Sequence, residues 1–216
     1  MSHGAYHENH PWPAVVMHWV HLLSMIALGF TGFFIHYPFN FAGLTMGTAR
    51  YIHFTAMYIV LVNLVVRVYW TFFGKGSTSM KGTRVLDRDY HNFGMQKVNR
   101  GQFFETIKYY LFLRKTHPRT GKFNSLQKLV YSFWGLLLLF QAYTGFAMYG
   151  PTYNWSFFSV GANLMGGLMM VRIIHYLVMW VFIVTALIHI YLSVAEDVEA
   201  VPLMFAYMET PASEDH

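Results

Sequence analysis

Four long apolar stretches constrain the fold of this chain more than any other feature of its sequence. A helix needs about 20 residues to cross a hydrocarbon core of roughly 30 Å, and each stretch reaches that length. The stretches cover residues 15–37, 51–73, 127–149 and 167–194. With 55% hydrophobic and only 12% charged residues, the composition is too apolar for an ordinary soluble domain. The sequence therefore predicts an all-α integral membrane protein, a four-helix transmembrane bundle forming one domain over residues 1–200, with a tail at 201–216.

The basic residues predict the orientation of this bundle. Twelve of the 15 Lys and Arg lie between Lys75 and Lys128, in or beside the connection formed by residues 74–126. By the positive-inside rule, this connection, the tail and both termini face the cytoplasm, and the bundle lies in the inner membrane. Because the net charge of +5 is concentrated on one membrane side, it does not indicate a nucleic-acid partner. The start, "MSHGAYHENHPWP", lacks a basic n-region, so we expect the first span to stay in the mature protein.

The long connection contains two different segments. "FFGKGSTSMKGTRVLDRD" combines glycines with charges and indicates a flexible, solvated connection. "GQFFETIKYYLFLRKTHPRTG" places large apolar residues at helical spacing on one side and interrupts them with charges. These apolar residues are Phe103, Phe104, Ile107, Tyr110 and Leu111. The segment is too short and too charged to cross the membrane, so it predicts an interfacial helix on the cytoplasmic surface that ends before Pro118.

Histidines inside the apolar stretches are the strongest functional signal. His175 and His189 are 14 residues apart in the fourth span, and 14 helical residues rise about 21 Å and turn about 40° short of four full turns. They therefore share one face, with one imidazole near each membrane surface. In the first span His18 lies at the inner depth, and in the second His53 lies at the outer depth. Depth alone pairs His18 with His189 and His53 with His175.

Two stacked imidazole pairs fit two haems, each with both axial positions filled. Imidazole is a good axial ligand of haem iron, and six-coordinate iron passes electrons rather than binding a substrate. Zinc usually takes four ligands, and the chain has no cysteine or carboxylate cluster at these depths to complete such a site. Histidine-lined transport of a metal or protons is an alternative, as is a membrane anchor without cofactor. Transport predicts polar residues through the bilayer, whereas the middle of every span is apolar.

Three further side chains near these depths are candidates for lesser roles. His21 is one turn from His18, and it faces a haem edge, a propionate or a neighbouring helix. Arg50 and Arg172 lie within a turn of the outer histidines, where they either pair with haem propionates or anchor helix ends at the lipid headgroups.

The chain resembles the b-type cytochrome subunits of membrane-bound nickel-iron hydrogenases. The matching stretches are "MHWVHLLSMIALGFTGFFI", "RYIHFTAMYIV", "RVYWTFFG", "IKYYLFLRK", "NSLQ", "TGFAMYG" and "IHYLVMWVFIVTALIHIYLSVAED". The histidine spacing is shared with the wider di-haem superfamily, which includes cytochrome subunits of formate dehydrogenase and thiosulfate reductase. "RVYWTFFG" and "YLFLRK" point to the hydrogenase branch. Equivalent subunits of a formate dehydrogenase or a sulfur-compound reductase remain the alternative.

The resemblance implies two non-covalent haem b groups and electron transfer to menaquinone or ubiquinone near the cytoplasmic face. It implies as partners an iron-sulfur small subunit and a nickel-iron large subunit outside the membrane, so the chain would not activate hydrogen by itself. For the quinone site it implies the stretch before the third span, where Asn124 and Gln127 supply amides. A relative has Gly where this chain has Leu126, and Asn124 could instead be the N-cap of the third span.

Overall fold

The computed structural model describes residues 12–80, 83–88, 102–111, 113–114, 125–196 and 205. Six helices and one hairpin occur in this part of the chain: α1 (Trp12–His36), α2 (Met46–Phe73), β1 (Lys75–Met80), β2 (Thr83–Arg88), α3 (Phe103–Tyr110), α4 (Ser125–Met148), α5 (Ser156–Leu164) and α6 (Leu168–Glu196). The fold is therefore helical apart from the hairpin, as the sequence predicts. Of the predicted tail, only Phe205 is described.

Three helices are long and apolar enough to cross a membrane. They are α1, α2 and the part Leu168–Val194 of α6. Many of their large apolar side chains are exposed, among them Val65 and Leu187, which suits contact with lipid rather than water. α4 has 24 residues, enough for about 36 Å of helix, although the apolar stretch described in it, Ser132–Met148, is shorter. Its place as the fourth span of a bundle stays a prediction.

Local chemistry sets where α2 begins. Thr45 precedes the helix, and its Oγ1 accepts a hydrogen bond of 3.1 Å from the backbone N–H of Thr48. This is the contact of a threonine N-cap with the third helical residue, and it satisfies one of the amides that a helix start leaves unpaired. The helix therefore begins at Met46, five residues before the predicted start of the second span.

The connection between α4 and α6 contains a helix, α5, that is not predicted from the sequence. α5 ends in two glycines with positive φ, Gly166 at 97° and Gly167 at 91°. The Gly166 N–H donates to the Asn163 carbonyl at 3.0 Å, and the Gly167 N–H donates to the Ala162 carbonyl at 2.8 Å. This is a Schellman motif, which glycine adopts without a steric penalty. It turns the chain directly into α6.

A small apolar cluster packs α5 against its neighbours. Ala147 of α4, Ala162 of α5 and Val171 of α6 are buried together, and Phe158 and Met165 pack against them. Small residues let helices approach closely where lipid provides no hydrophobic driving force between them. The cluster belongs to a compact unit formed by the described residues of 18–63 and 136–201, which also contains His18, His53, His175 and His189.

A second compact unit contains the hairpin and α3. β1 and β2 are antiparallel, with Lys75 opposite Arg88 and Met80 opposite Thr83, so two residues separate the strands. The sequence predicts a flexible connection here, and the hairpin corrects that prediction for the described residues. The two strands contain too few apolar residues for hydropathy to predict them. Thr and Val nevertheless favour strands, and a loop of two residues favours a hairpin.

Helix α3 occupies part of the predicted interfacial segment and ends at Tyr110, earlier than predicted. The Leu111 N–H closes the last turn on the Ile107 carbonyl at 3.0 Å. Glu105 forms ion pairs with Lys108 at 3.0 Å and with Arg114 at 2.7 Å. The hydrogen bond from Lys108 is the largest cause that lowers the pKa of the Glu105 carboxyl. The positive charge of Lys108 and the hydrogen bond from Arg114 lower this pKa further. Phe104 and Leu111 are exposed, as an apolar face that lies on a membrane surface would be.

Candidate functional site

The inner histidine pair joins the first and last described long helices. His18 lies on α1 and His189 on α6, and their ring centroids are 6.5 Å apart with the planes inclined at 54°. The edge of the Trp19 ring also approaches His18, with centroids 6.4 Å apart. The pairing that depth predicts from the sequence is therefore present as a contact between side chains, although the role of these imidazoles as ligands stays a prediction.

The outer histidine pair has nearly the same geometry. His53 lies on α2 and His175 on α6, with ring centroids 6.4 Å apart and planes inclined at 59°. α6 thus contributes one imidazole to each pair, as the 14-residue spacing predicts. The structure thus places the four histidines in the two pairs that the sequence predicts.

The spacing within each pair matches two imidazoles that share one metal ion. On each side, a metal–imidazole bond of about 2.0 Å and about 1.1 Å from the nitrogen to the ring centre add up, which gives roughly 6.2 Å between centroids. A direct N–H···N hydrogen bond in line would bring the centroids to about 5.1 Å. Stacked rings lie closer still, as His36 and Tyr176 do at 3.8 Å and 13° in this structure. The residues present therefore fit an axially ligated haem iron in both pairs.

Two threonines contact the outer imidazoles. The Thr31 Oγ1 lies 2.9 Å from the His53 Nδ1, and the Thr144 Oγ1 lies 2.8 Å from the His175 Nδ1. In each ring the Nδ1 is engaged on the side away from the Nε2. The threonine contacts of both rings are therefore at Nδ1. The Nε2 is then the nitrogen left for a metal.

Each threonine is followed by a glycine that lies against the same imidazole. A Cβ on Gly32 would lie 3.7 Å from the His53 Cε1, and a Cβ on Gly145 would lie 3.4 Å from the His175 Cε1. A Cβ on Gly29 would meet no atom within 4 Å. Gly32 and Gly145 thus allow the helices to approach the rings closely, whereas Gly29 borders open space.

The sequence analysis does not identify these threonines, but a signal for them exists. The tripeptide Thr-Gly-Phe occurs at residues 31–33 and again at 144–146, in the first and third predicted spans. Gln141 is a further missed residue: its Nε2 donates to the His175 carbonyl at 3.0 Å. Its buried Oε1 has no hydrogen-bond partner among the described residues.

The remaining predicted site residues are placed less fully. Arg50 and Arg172 are exposed near the starts of α2 and α6, and His21 is half-buried one turn from His18 on α1. Asn124 lies outside the described residues, and for Gln127 only the backbone is described, in the first turn of α4. The propionate contacts and the quinone site stay predictions.

Comparisons with known proteins agree over most of the chain. The sequence model of the family described as "Prokaryotic cytochrome b561" matches residues 9–206. A protein of Azotobacter vinelandii is 30% identical over 198 residues, covering 86% of this chain and 79% of its own length. A protein of Rhizobium leguminosarum bv. viciae is 29% identical, covering 86% and 80%. Both are named "Probable Ni/Fe-hydrogenase B-type cytochrome subunit". A protein of Escherichia coli strain K12, named "Probable Ni/Fe-hydrogenase 1 B-type cytochrome subunit", is 28% identical, covering 86% and 81%.

Proposed function

The chain belongs to the prokaryotic cytochrome b561 family, and from that premise we propose that it is the di-haem cytochrome subunit of a membrane-bound nickel-iron hydrogenase. In this role it carries electrons from an iron-sulfur subunit outside the membrane to a quinone. Family membership itself makes the chain a b-type cytochrome of electron transport. The absence of cysteine means that haem is held without thioether bonds.

The spacing of the histidine pairs is the observation that carries the proposal. At 6.5 Å and 6.4 Å, each pair leaves room for one iron between two imidazoles and is too wide for a direct hydrogen bond between them. Haem b would supply reversible one-electron chemistry, and two imidazoles holding its iron would leave no ligand position for a substrate. The role of His18, His189, His53 and His175 is then to hold the iron and exclude other ligands.

The depth of the pairs supports two haems rather than one. His175 and His189 are separated by about 21 Å along α6, so one pair lies near each surface of a hydrocarbon core about 30 Å thick. A single site would leave most of that thickness without a redox centre. In the proposed orientation, the outer pair would receive electrons from a partner outside, and the inner pair would deliver them near the cytoplasmic face.

The names of the relatives favour a hydrogenase over a formate dehydrogenase or a sulfur-compound reductase as the partner complex. On this basis the partners are the iron-sulfur small subunit and the nickel-iron large subunit. The basic connection at 74–126 and the positive-inside rule support cytoplasmic termini in the inner membrane.

The quinone, menaquinone or ubiquinone, would bind at the stretch before the third span. Asn124 and Gln127 precede or begin α4 and carry amides that can donate to a quinone carbonyl. Asn124 also stands directly before Ser125, the first residue of α4, which suits an N-cap. Arg50 and Arg172 are exposed, and each could pair with a haem propionate or anchor its helix end at the lipid headgroups. His21 lies one turn from His18 of the inner pair.

A visible spectrum with haem quantitation on the purified complex tests the cofactor, and hydrogen as sole reductant tests the partner. We expect two b haems per chain, both reduced by hydrogen. His189→Ala and His53→Ala should each remove one haem and stop electron transfer to quinone. His36→Ala is the matched control, because this histidine stacks on Tyr176 outside the two pairs. Two haems retained in the His53 or His189 variant would refute the pairing, and two haems untouched by hydrogen would refute the hydrogenase partner.

Asn124→Ala separates quinone binding from helix capping. If Asn124 binds quinone, haem content and haem reduction by hydrogen stay unchanged while quinone reduction slows. Asn124→Ser keeps a good N-cap while removing the amide, so it should slow quinone reduction as strongly as alanine does. Full activity in the serine variant would leave Asn124 a cap alone.

A further inference from the structure

We propose that Thr31 and Thr144 are positioning residues that fix the tautomer of His53 and His175 and lower the redox potential of the outer haem. This inference rests on the proposed function, because it concerns how two ligands of that haem are held. It is carried by the contact of each threonine hydroxyl with an Nδ1 on one side and a backbone carbonyl on the other.

The single hydroxyl hydrogen of Thr31 decides the direction of the first contact. Its Oγ1 lies 2.6 Å from the Ala27 carbonyl oxygen and 2.9 Å from the His53 Nδ1. A carbonyl can only accept, so at this distance the hydroxyl must donate to it. The Oγ1 then has only lone pairs to offer the imidazole, and the Nδ1–H must donate to the Oγ1. The Nε2 of a neutral ring carries no proton in that tautomer and is free to bind iron.

Thr144 repeats this arrangement at the other ligand. Its Oγ1 lies 2.9 Å from the Gln141 carbonyl oxygen and 3.2 Å from that of Phe140, and 2.8 Å from the His175 Nδ1. The hydroxyl donates within its own helix and accepts from the imidazole. Both outer rings therefore present an unprotonated Nε2.

Burial makes the two contacts persistent. Thr31 is 1% exposed and Thr144 is fully buried, so water does not compete for either hydroxyl. The glycine after each threonine lies against the Cε1 of the same ring, at a distance where an added Cβ would touch the ring. Each of the two Thr-Gly-Phe segments thus makes the same contacts, one with His53 and the other with His175.

The hydrogen bond changes the electronic character of the ligand. An acceptor on the Nδ1–H raises the basicity of the imidazole, and a more basic ligand favours the ferric over the ferrous state. The potential is therefore lower with the threonine than without it. Both threonines contact ligands of the outer pair, His53 and His175, so the effect belongs to the outer haem.

Thr31→Val and Thr144→Val test this inference, since valine keeps the shape of the side chain and removes the acceptor. Redox titration of the purified complex should show the outer potential rising while the inner one stays. Loss of a second-sphere partner typically changes metal affinity about tenfold or more, and a tenfold change in the ferric-to-ferrous affinity ratio is about 59 mV for one electron. The haem lost in His53→Ala identifies which potential is the outer one.

Thr185→Val is the matched control. The Thr185 hydroxyl makes the same bonds within α6, to the carbonyls of Val181 at 2.7 Å and Phe182 at 3.2 Å, without contacting a histidine. It should leave the outer potential unchanged. Thr31→Ser and Thr144→Ser restore the hydroxyl, so they should restore the potential and the ferric low-spin EPR signal.

The outcomes separate this inference from the proposed function. Two haems with an unmoved outer potential in both valine variants would overturn the role of the threonines and leave the cytochrome intact. Loss of the outer haem in the valine variants with retention in the serine variants would support the role, whereas loss in both would reduce the threonines to packing residues. A wild-type chain without haem would overturn the proposed function itself.

Discussion

Gly161→Ala perturbs the contact that holds the outer helix α5 to α4. A Cβ at Gly161 would overlap the Tyr143 hydroxyl and would lie 2.8 Å from the Tyr143 Cζ. That hydroxyl donates a hydrogen bond of 2.9 Å to the Phe157 carbonyl. The Tyr143 ring also meets the rings of Phe157 and Phe158, with centroids 5.2 Å and 5.4 Å away.

The loss of stability in Gly161→Ala follows from the contacts that the Tyr143 side chain loses. The phenol is the free end of the side chain, so the ring turns away instead of forcing the helices apart. It loses the hydrogen bond, worth about 1 kcal/mol, and part of two aromatic contacts worth about 0.5–1.5 kcal/mol each. We expect Gly161→Ala to lower the free energy of unfolding by about 2 kcal/mol and Tyr143→Phe by about 1 kcal/mol.

A double-mutant cycle tests this reasoning. Once the phenol is absent, the alanine has no hydrogen bond left to break, so the double variant should cost about 1 kcal/mol less than the sum of the single variants. The assay is equilibrium unfolding in mixed micelles, followed by circular dichroism and haem absorbance. Additive effects would show that the two residues do not interact. A Gly161→Ala variant as stable as wild type would refute the overlap at Gly161.

Three further predictions concern helix ends and charge. Thr45→Ala should lower the free energy of unfolding by about 1 kcal/mol through loss of the cap on Thr48, while Thr45→Ser should be close to neutral by the same unfolding assay. Gly166→Ala should cost about 1–2 kcal/mol because this residue has the positive φ that the Schellman turn requires, and an unchanged midpoint would contradict that turn. Since Lys108 lowers the pKa of Glu105, the ion pairs of α3 stabilise it above the ordinary carboxyl pKa and are lost as the pH falls through the lowered value. Glu105→Gln should abolish that pH and salt dependence in a spectroscopic probe attached to α3.

Hydropathy predicts the long helices, and depth in the membrane predicts the histidine pairs. Both predictions depend only on the regular rise of a helix and on the thickness of the bilayer. A helix of fixed rise inside a bilayer of fixed thickness places His175 and His189 without knowledge of packing. Helix ends are less predictable, since the start of α2 depends on the local cap at Thr45. α5 is not predicted from the sequence because nine residues are too few to show a clear helical repeat of apolar residues, although the two glycines after it mark its end.

The threonines show a different limit of sequence reasoning. Thr31 and Thr144 resemble ordinary helix-interior threonines that bond back to their own carbonyls, as Thr185 does. Only the packing of α1 against α2 and of α4 against α6 brings a histidine to two of them. Their repeated tripeptide is a signal that becomes meaningful once the histidine pairs are known.

The Schellman turn after α5 has a consequence for association with another protein. Its paired glycine amides and the buried cluster of Ala147, Ala162 and Val171 tie the outer connection to the helices on either side. Most loops lose conformational freedom when another protein docks on them, and that loss weakens binding. Here folding has already removed that freedom, so a subunit that binds to α5 meets a preformed surface. Its exposed Phe157 and Leu164 can then contribute to affinity with little entropic penalty from ordering the backbone.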